Sequence, residues 1–385
     1  MKRRMRDGGS RWCRGVMAAV FCGAIAASVT AAEVVPPGVE QAVAIAGDLA
    51  KAEGVGGQSA FAAKTDQLAQ APAAAVVPCL AAFASATPAG ANWLRNGLDR
   101  AADRLGPAVS AAELESVVRD ATRPARARSL AFAWLKARDP GRADAVLGGL
   151  LDDPALDLRR EAIDKLLAVA DAAGEAARKD GYRKGLAAAR DVDQIERIAA
   201  WLGEHGETVD VTKLLGFVRR WRVSQAFDNV GGAGFAKAYP PEARSPALPD
   251  AAAWKPVTSA DKHGAIDLNA AVDTKKGVLA YALAEVEMPS AGAAEVRIGS
   301  PCAVVVWVNG VRVMTHEIYH ASEAIDQYVA PAEFRAGTNT VLVKCCQNEQ
   351  TEAWAADWKF QLRICDPLGT PLATQATGGG DEQTR

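Results

Sequence analysis

Two of the chain's four histidines fall together. His316 and His320 bracket Glu317, Ile318 and Tyr319 in the string HEIYH. On a helix, H-E-x-x-H puts both imidazoles on one face, where they can hold zinc while the glutamate acts as a general base. Here the string follows a β-strand pattern, no long helical period surrounds it and no third ligand is evident. The pattern therefore predicts a strand end running into a loop lined by polar and aromatic side chains, with a zinc-dependent hydrolase as the third-ranked reading.

A second cluster runs Gln347-Asn348-Glu349-Gln350-Thr351-Glu352 and is followed by Trp354 and Trp358. Amides and carboxylates hydrogen-bond sugar hydroxyls, and an indole face stacks on the apolar face of a pyranose, so this stretch suits a glycan. The plainer reading puts Trp358 in a core and makes the polar run a solvated connection. Together the two clusters give His316, Tyr319, His320, Gln347, Asn348, Glu349 and Trp354 as candidate ligand-binding residues. Asp228, Asn229 and Glu242 offer oxygens for a structural calcium, without the larger convergent set that calcium prefers. There is no P-loop, no Rossmann fingerprint and no G-x-S-x-G elbow. With 46 acids in the chain, spacing alone nominates no glycosidase pair. No catalytic residue and no cofactor beyond that calcium are expected.

These clusters hang from strand patterns. Val304 to Val308 is β-branched or aromatic throughout, Asn309-Gly310 tolerates positive φ, and Val311 to Val313 restarts the run: a β-hairpin with a two-residue turn. Its first arm is apolar on both pleat faces and needs cover on both sides, which a two-sheet sandwich supplies. Further strands are expected over residues 278–288, 294–298, 340–344 and 358–364. In the last, Trp, Phe, Leu and Ile alternate with Lys, Gln and Arg, the period of a half-buried strand. With the two arms of the hairpin these runs supply enough strands for an antiparallel jelly-roll sandwich.

Upstream, residues 38–215 are rich in Ala and Leu, with apolar residues at helical intervals and breaks at Gly and Pro. Asp153 is placed to cap a helix with Pro154 at its first position, and Leu158, Ala162, Ile163, Leu166 and Leu167 share one face. A similar cadence precedes it around Asp139-Pro140. Paired helices with Asp-Pro turns suggest a HEAT or armadillo-like repeat. The charges of residues 176–206 read as a solvated face. Before all this, Lys2, Arg3, Arg4, Arg6, Arg11 and Arg14 precede an apolar run ending Thr30-Ala31-Ala32, as in a cleaved secretory signal, and the run is short for a membrane span. Without residues 1–32 the chain carries 38 Lys and Arg against 45 Asp and Glu. An acidic balance disfavours nucleic acid as a partner. Five cysteines remain, either buried as small apolar residues or paired through Cys302 with Cys345, Cys346 or Cys365.

The order of helical repeats, FDNVGGAGF with YPPE, VVVWVNGVRV, EFRAGTNTVLVKCCQNEQ and WKFQLRICDPLGT resembles large exported proteins of planctomycete-type bacteria that carry a galactose-binding-like β-sandwich. The resemblance implies a jelly-roll over roughly residues 217–368, a module that often binds carbohydrate or packs beside a partner domain. It implies no catalysis, and its binding positions lie in variable loops. The expected layout is a signal peptide at 1–32, an α-helical repeat domain at 33–215, the sandwich at 216–369 and a disordered tail at 370–385. The protein is expected in the periplasm, at the cell surface or secreted, binding glycan through the sandwich or, alternatively, a protein through the helices.

Overall fold

The computed structural model describes residues 37–54, 56–242 and 254–375. The expected signal segment lies outside them. An α-helical half leads into an antiparallel β half. The helices are α1 Val39–Ala50, α2 Gln58–Ala69, α3 Ala73–Cys79, α4 Pro88–Leu105, α5 Ala111–Arg119, α6 Ala125–Arg138, α7 Pro140–Leu147, α8 Leu156–Asp171, α9 Glu175–Ala188, α10 Val192–Glu204 and α11 Val211–Leu215. Among the described residues no helix is long and apolar enough to cross a membrane.

Polar bonds at sequence separations of 33 to 36 tie alternate helices into a row. Arg100 reaches Asp66 at 2.7 Å from α4 to α2, Trp134 Nε1 reaches Asp99 at 2.8 Å from α6 to α4, and Arg197 reaches Asp164 at 2.7 Å from α10 to α8. Inward-facing Leu68, Leu94, Leu98, Leu130 and Leu135 of α2, α4 and α6 belong to one core that reaches the start of α8, while Ile163 and Leu167 of α8 and Ile195 and Ile198 of α10 belong to a second. At Asp139-Pro140 the cap works as the sequence suggests: the carboxylate accepts the Arg142 N–H at 2.9 Å. At Asp153 it does not. Helix α8 starts only at Leu156, and Asp153 is instead the buried counterion of Arg128, bonded through both oxygens at 2.7 and 2.6 Å. The guanidinium also donates to the Val118 carbonyl, which satisfies a charge that burial would otherwise make costly.

Gly216, in the left-handed region after α11, turns the chain into the β half. Its strands are β1 Arg220–Ser224, β2 Phe227–Asp228, β3 Trp254–Thr258, β4 Ile266–Asp267, β5 Val278–Met288, β6 Gly292–Gly299, β7 Ala303–Val308, β8 Val311–His316, β9 Tyr328–Phe334, β10 Gly337–Cys346 and β11 Lys359–Cys365. Short helices α12, Ala233–Ala236, and α13, Leu268–Ala271, interrupt them. One sheet has the order β3-β1-β5-β10-β7-β8 with β2 on β5; the other is β4-β11-β6-β9. Val304, Val306, Val343 and Cys345 of the first meet Ile298, Phe360, Leu362 and Ile364 of the second. The β7–β8 hairpin turns at Asn309 (φ 50°) and Gly310 (φ 78°), as its dipeptide demands.

Two covers were not visible in the strands. The outer face of the larger sheet (Leu279, Tyr281, Ala303, Val305) is sealed by Phe227, Phe235 and Tyr239 from the excursion after β1. That excursion is pinned by Lys344, whose Nζ donates to the carbonyls of Phe235 and Lys237, both at 2.8 Å. In β11, expected to be half-buried, Gln361 and Arg363 are buried as well, and over Arg363 the cover includes the end of the helical half. Arg363 donates to the Leu215 carbonyl and to Asp326, and Arg190 of the helical half reaches Thr370 at 3.1 Å. Residues 371–375, expected to be disordered, are bound: Thr374 bridges Glu287, and the side-chain Oε1 of Gln375 accepts the N–H groups of Arg219 and Arg220 at 2.9 Å. The rest of the tail lies outside the described residues.

Candidate functional site

Four connections meet at one end of the sandwich: residues 228–232, 273–277, 317–327 and 347–358. Asn229 ties its own connection to the other three. Fully buried, it donates its backbone N–H to Gly277 O at 2.8 Å and its Nδ2 to Gln347 O at 3.0 Å and to the Tyr319 hydroxyl at 3.2 Å. Its Oδ1 has no partner among the described residues, and a Cβ on Gly234 would come within 2.9 Å of it. Lys276 braces the floor, donating to Gln347 Oε1 and Ala355 O, each at 3.0 Å.

Above this floor sits a platform. His320 lies at φ 58°, a conformation that costs a non-glycine residue about 1–3 kcal/mol and persists only where its surroundings enforce it. Its Nε2 meets Asn348 Oδ1 at 2.8 Å, and its ring packs edge-on against Trp354, centroids 5.0 Å apart and planes at 83°. Trp354 is nonetheless 64% exposed. Val230 and Ile318 on neighbouring loops are exposed as well. The Glu349 carboxylate accepts the Gly231 N–H, and Glu317 is exposed with no bonded partner among the described residues. Burial pushes the Tyr319 hydroxyl above its ordinary pKa, and the nearby Glu317 and Glu349 charges act in the same direction. Gly232, at φ 73°, keeps space beside both: a side chain there would start 3.7 Å from the Tyr319 hydroxyl and 3.8 Å from Glu317.

Of the residues chosen from sequence, Tyr319, His320, Gln347, Asn348, Glu349 and Trp354 share this end of the sandwich, although Gln347 is a buried brace rather than a surface group. His316 does not join them. It closes β8 and stacks on Tyr328 of β9 at 4.0 Å. Since β8 ends at His316 and residues 317–320 form no helix, HEIYH lacks the single helical face that zinc ligation by this motif requires.

The residues suggested for calcium have other partners. Glu242 is occupied by Lys344 Nζ at 2.9 Å and by the Tyr281 hydroxyl, Asp228 accepts the Val230 N–H, and Asn229 donates its Nδ2 to two loops. Among the described residues no group of three or more His, Cys, Asp or Glu is placed to hold a metal ion. Lys276, Gly231 and Gly232 went unselected from sequence, because a lysine or glycine in a turn looks the same wherever the turn packs. The five remaining cysteines are buried free thiols.

What the arrangement offers is a flat, exposed indole beside amide, imidazole, phenol and carboxylate groups held by a cross-braced floor. No match to this chain was found among protein-family models, curated proteins or solved structures.

Proposed function

We propose that the chain is an exported two-domain binding protein. In this reading a HEAT or armadillo-like array carries a galactose-binding-like jelly-roll whose loop end holds a carbohydrate. The observation that carries it is Trp354: a large apolar ring kept in solvent yet fixed at its edge by His320, which Asn348 fixes in turn. A ring needed only for packing would be covered, whereas a ring that stacks on a pyranose must be open and pre-oriented. Neighbouring Asn348, Glu349 and Glu317 supply the polar groups that a sugar's hydroxyls require. Export rests on the basic and then apolar N-terminus, and places the protein in the periplasm, at the cell surface or outside the cell.

The test is a thermal-shift screen of the full chain against a glycan panel, with and without calcium. A ligand selective for the folded state raises its apparent stability. A saturable shift that disappears in Trp354→Ala supports the reading; no shift across a broad panel removes it.

A further inference from the structure

On the helical half, α4, α6 and α8 border a trough of about 920 Å3. Ala91, Ala133 and Ala137 lie along it with Phe83, Leu130 and Phe132, so apolar surface separates its charged groups. Its polar groups divide into two kinds. Lys136 and Arg160 are already matched, to Glu161 at 2.7 Å and to Asp191 and Asp193 respectively. Arg126 and Asn92 have no bonded partner among the described residues, and Arg95 has only Asp99, at 3.4 Å. Ser129 Oγ faces no partner although solvent barely reaches it. At the α8 side the unmatched group has the opposite sign, Asp157.

We infer that this trough docks an extended peptide segment of a partner protein, with an acidic residue against Arg95 and Arg126 and a basic residue toward Asp157. Three neighbouring helices set about 8–10 Å apart span roughly 20 Å, which about six extended residues cover at ~3.3 Å each. Small alanine side chains admit a peptide backbone, and the exposed Asn92 offers it hydrogen bonds. The unmatched charges are complementary to such a segment and fix its polarity, since an acid at the α8 end would face Asp157. The inference is independent of the carbohydrate site.

The probe is a displayed library of random dodecapeptides, panned on the full chain and on the Arg95→Glu/Arg126→Glu double variant. Both arginines are exposed, and circular dichroism melting checks that the variant folds. Enriched peptides should carry an acidic residue several positions from a basic one. A synthesised peptide should bind the unaltered chain saturably and the double variant at least about tenfold more weakly, the loss expected for a charge-assisted contact. Asp157→Lys should remove the preference for the basic residue, and Trp354→Ala should leave peptide binding unchanged. No enrichment over blank support, the same peptides from the double variant, or a sulfated polysaccharide that binds through these arginines and is not displaced by the peptides would each overturn the inference.

Discussion

The Nζ of Lys344 lies 2.9 Å from Oε1 of Glu242, with only 1% of the lysine side chain reached by solvent. The lysine projects from the central strand β10 to the outer face of its sheet, and the glutamate belongs to the excursion that covers that face. The pair therefore fastens a loop-rich cover to a strand, and the same excursion contains Asn229, Gly231 and Gly232 of the candidate site.

The two halves of this pair should differ in sensitivity. Glu242→Gln strands a buried ammonium on carbonyl oxygens alone and should cost about 3–5 kcal/mol. Lys344→Met removes the buried charge, fills similar volume and leaves a carboxylate that water can partly reach, so its cost should be smaller. Equilibrium urea unfolding of both variants checks the order; equal losses would contradict it.

Trp354→Ala should alter stability by no more than about 0.5 kcal/mol, because the ring is mostly exposed. Asn229→Ala should cost about 1–3 kcal/mol, since it leaves the buried Gln347 carbonyl without that donor. It should also weaken any glycan response by loosening the floor. Thermal melts with and without the best glycan separate the two: loss of ligand without loss of stability for the tryptophan, loss of both for the asparagine.

Acid should unfasten the junction between the two halves. Burial works against the Asp326 carboxylate, but its bonds to Arg363 and Arg297 prevail and hold its pKa below the ordinary 3.8. A carboxylate lowered by folding stabilises fully above its unfolded pKa and loses that contribution as pH falls through the folded value. Stability attributable to Asp326 should thus be complete at neutral pH and decline below about pH 4. Comparing Asp326→Asn with the unaltered chain from pH 7 to pH 2 should show the gap between them closing at the acid end.

The thiols should be inert in the folded protein. Burial pushes Cys79 up to about 12 and Cys365 up to about 11, and raises Cys345 and Cys346 as well. A reagent that attacks thiolates should leave Cys79, Cys345, Cys346 and Cys365 unlabelled at pH 8 until denaturant is added. Rapid labelling of any of them in the native chain would contradict the packing.

Local features were legible where the sequence carries its own instruction. Asn309-Gly310 dictates its turn, and the apolar run 278–288 becomes β5 with those bounds. Features that depend on distant partners were not. The alternation in β11 correctly assigned one face to the core, but nothing in the strand tells that Leu215 and Asp326 cover Arg363 on the other. Asp153 looked like a cap because a carboxylate before proline usually is one, whereas a matching arginine 25 residues upstream claims it. At the loop end, residues 316–320 and 347–354 stood out by composition, but Asn229 joins Gln347 across 118 residues of sequence, a distance no local pattern encodes.

The connection from β8 to β9 has one further consequence. Near its start Tyr319 and His320 hold the exposed platform; near its end Ile325 packs with the helical core around Leu215, and Asp326 grips Arg363. Between them Ala321 is hydrogen-bonded to Pro301 and Glu323 is paired with Lys359, so the segment has little slack. The segment is thus anchored at both ends and in the middle, and it ties the platform to the junction between the helical and β halves.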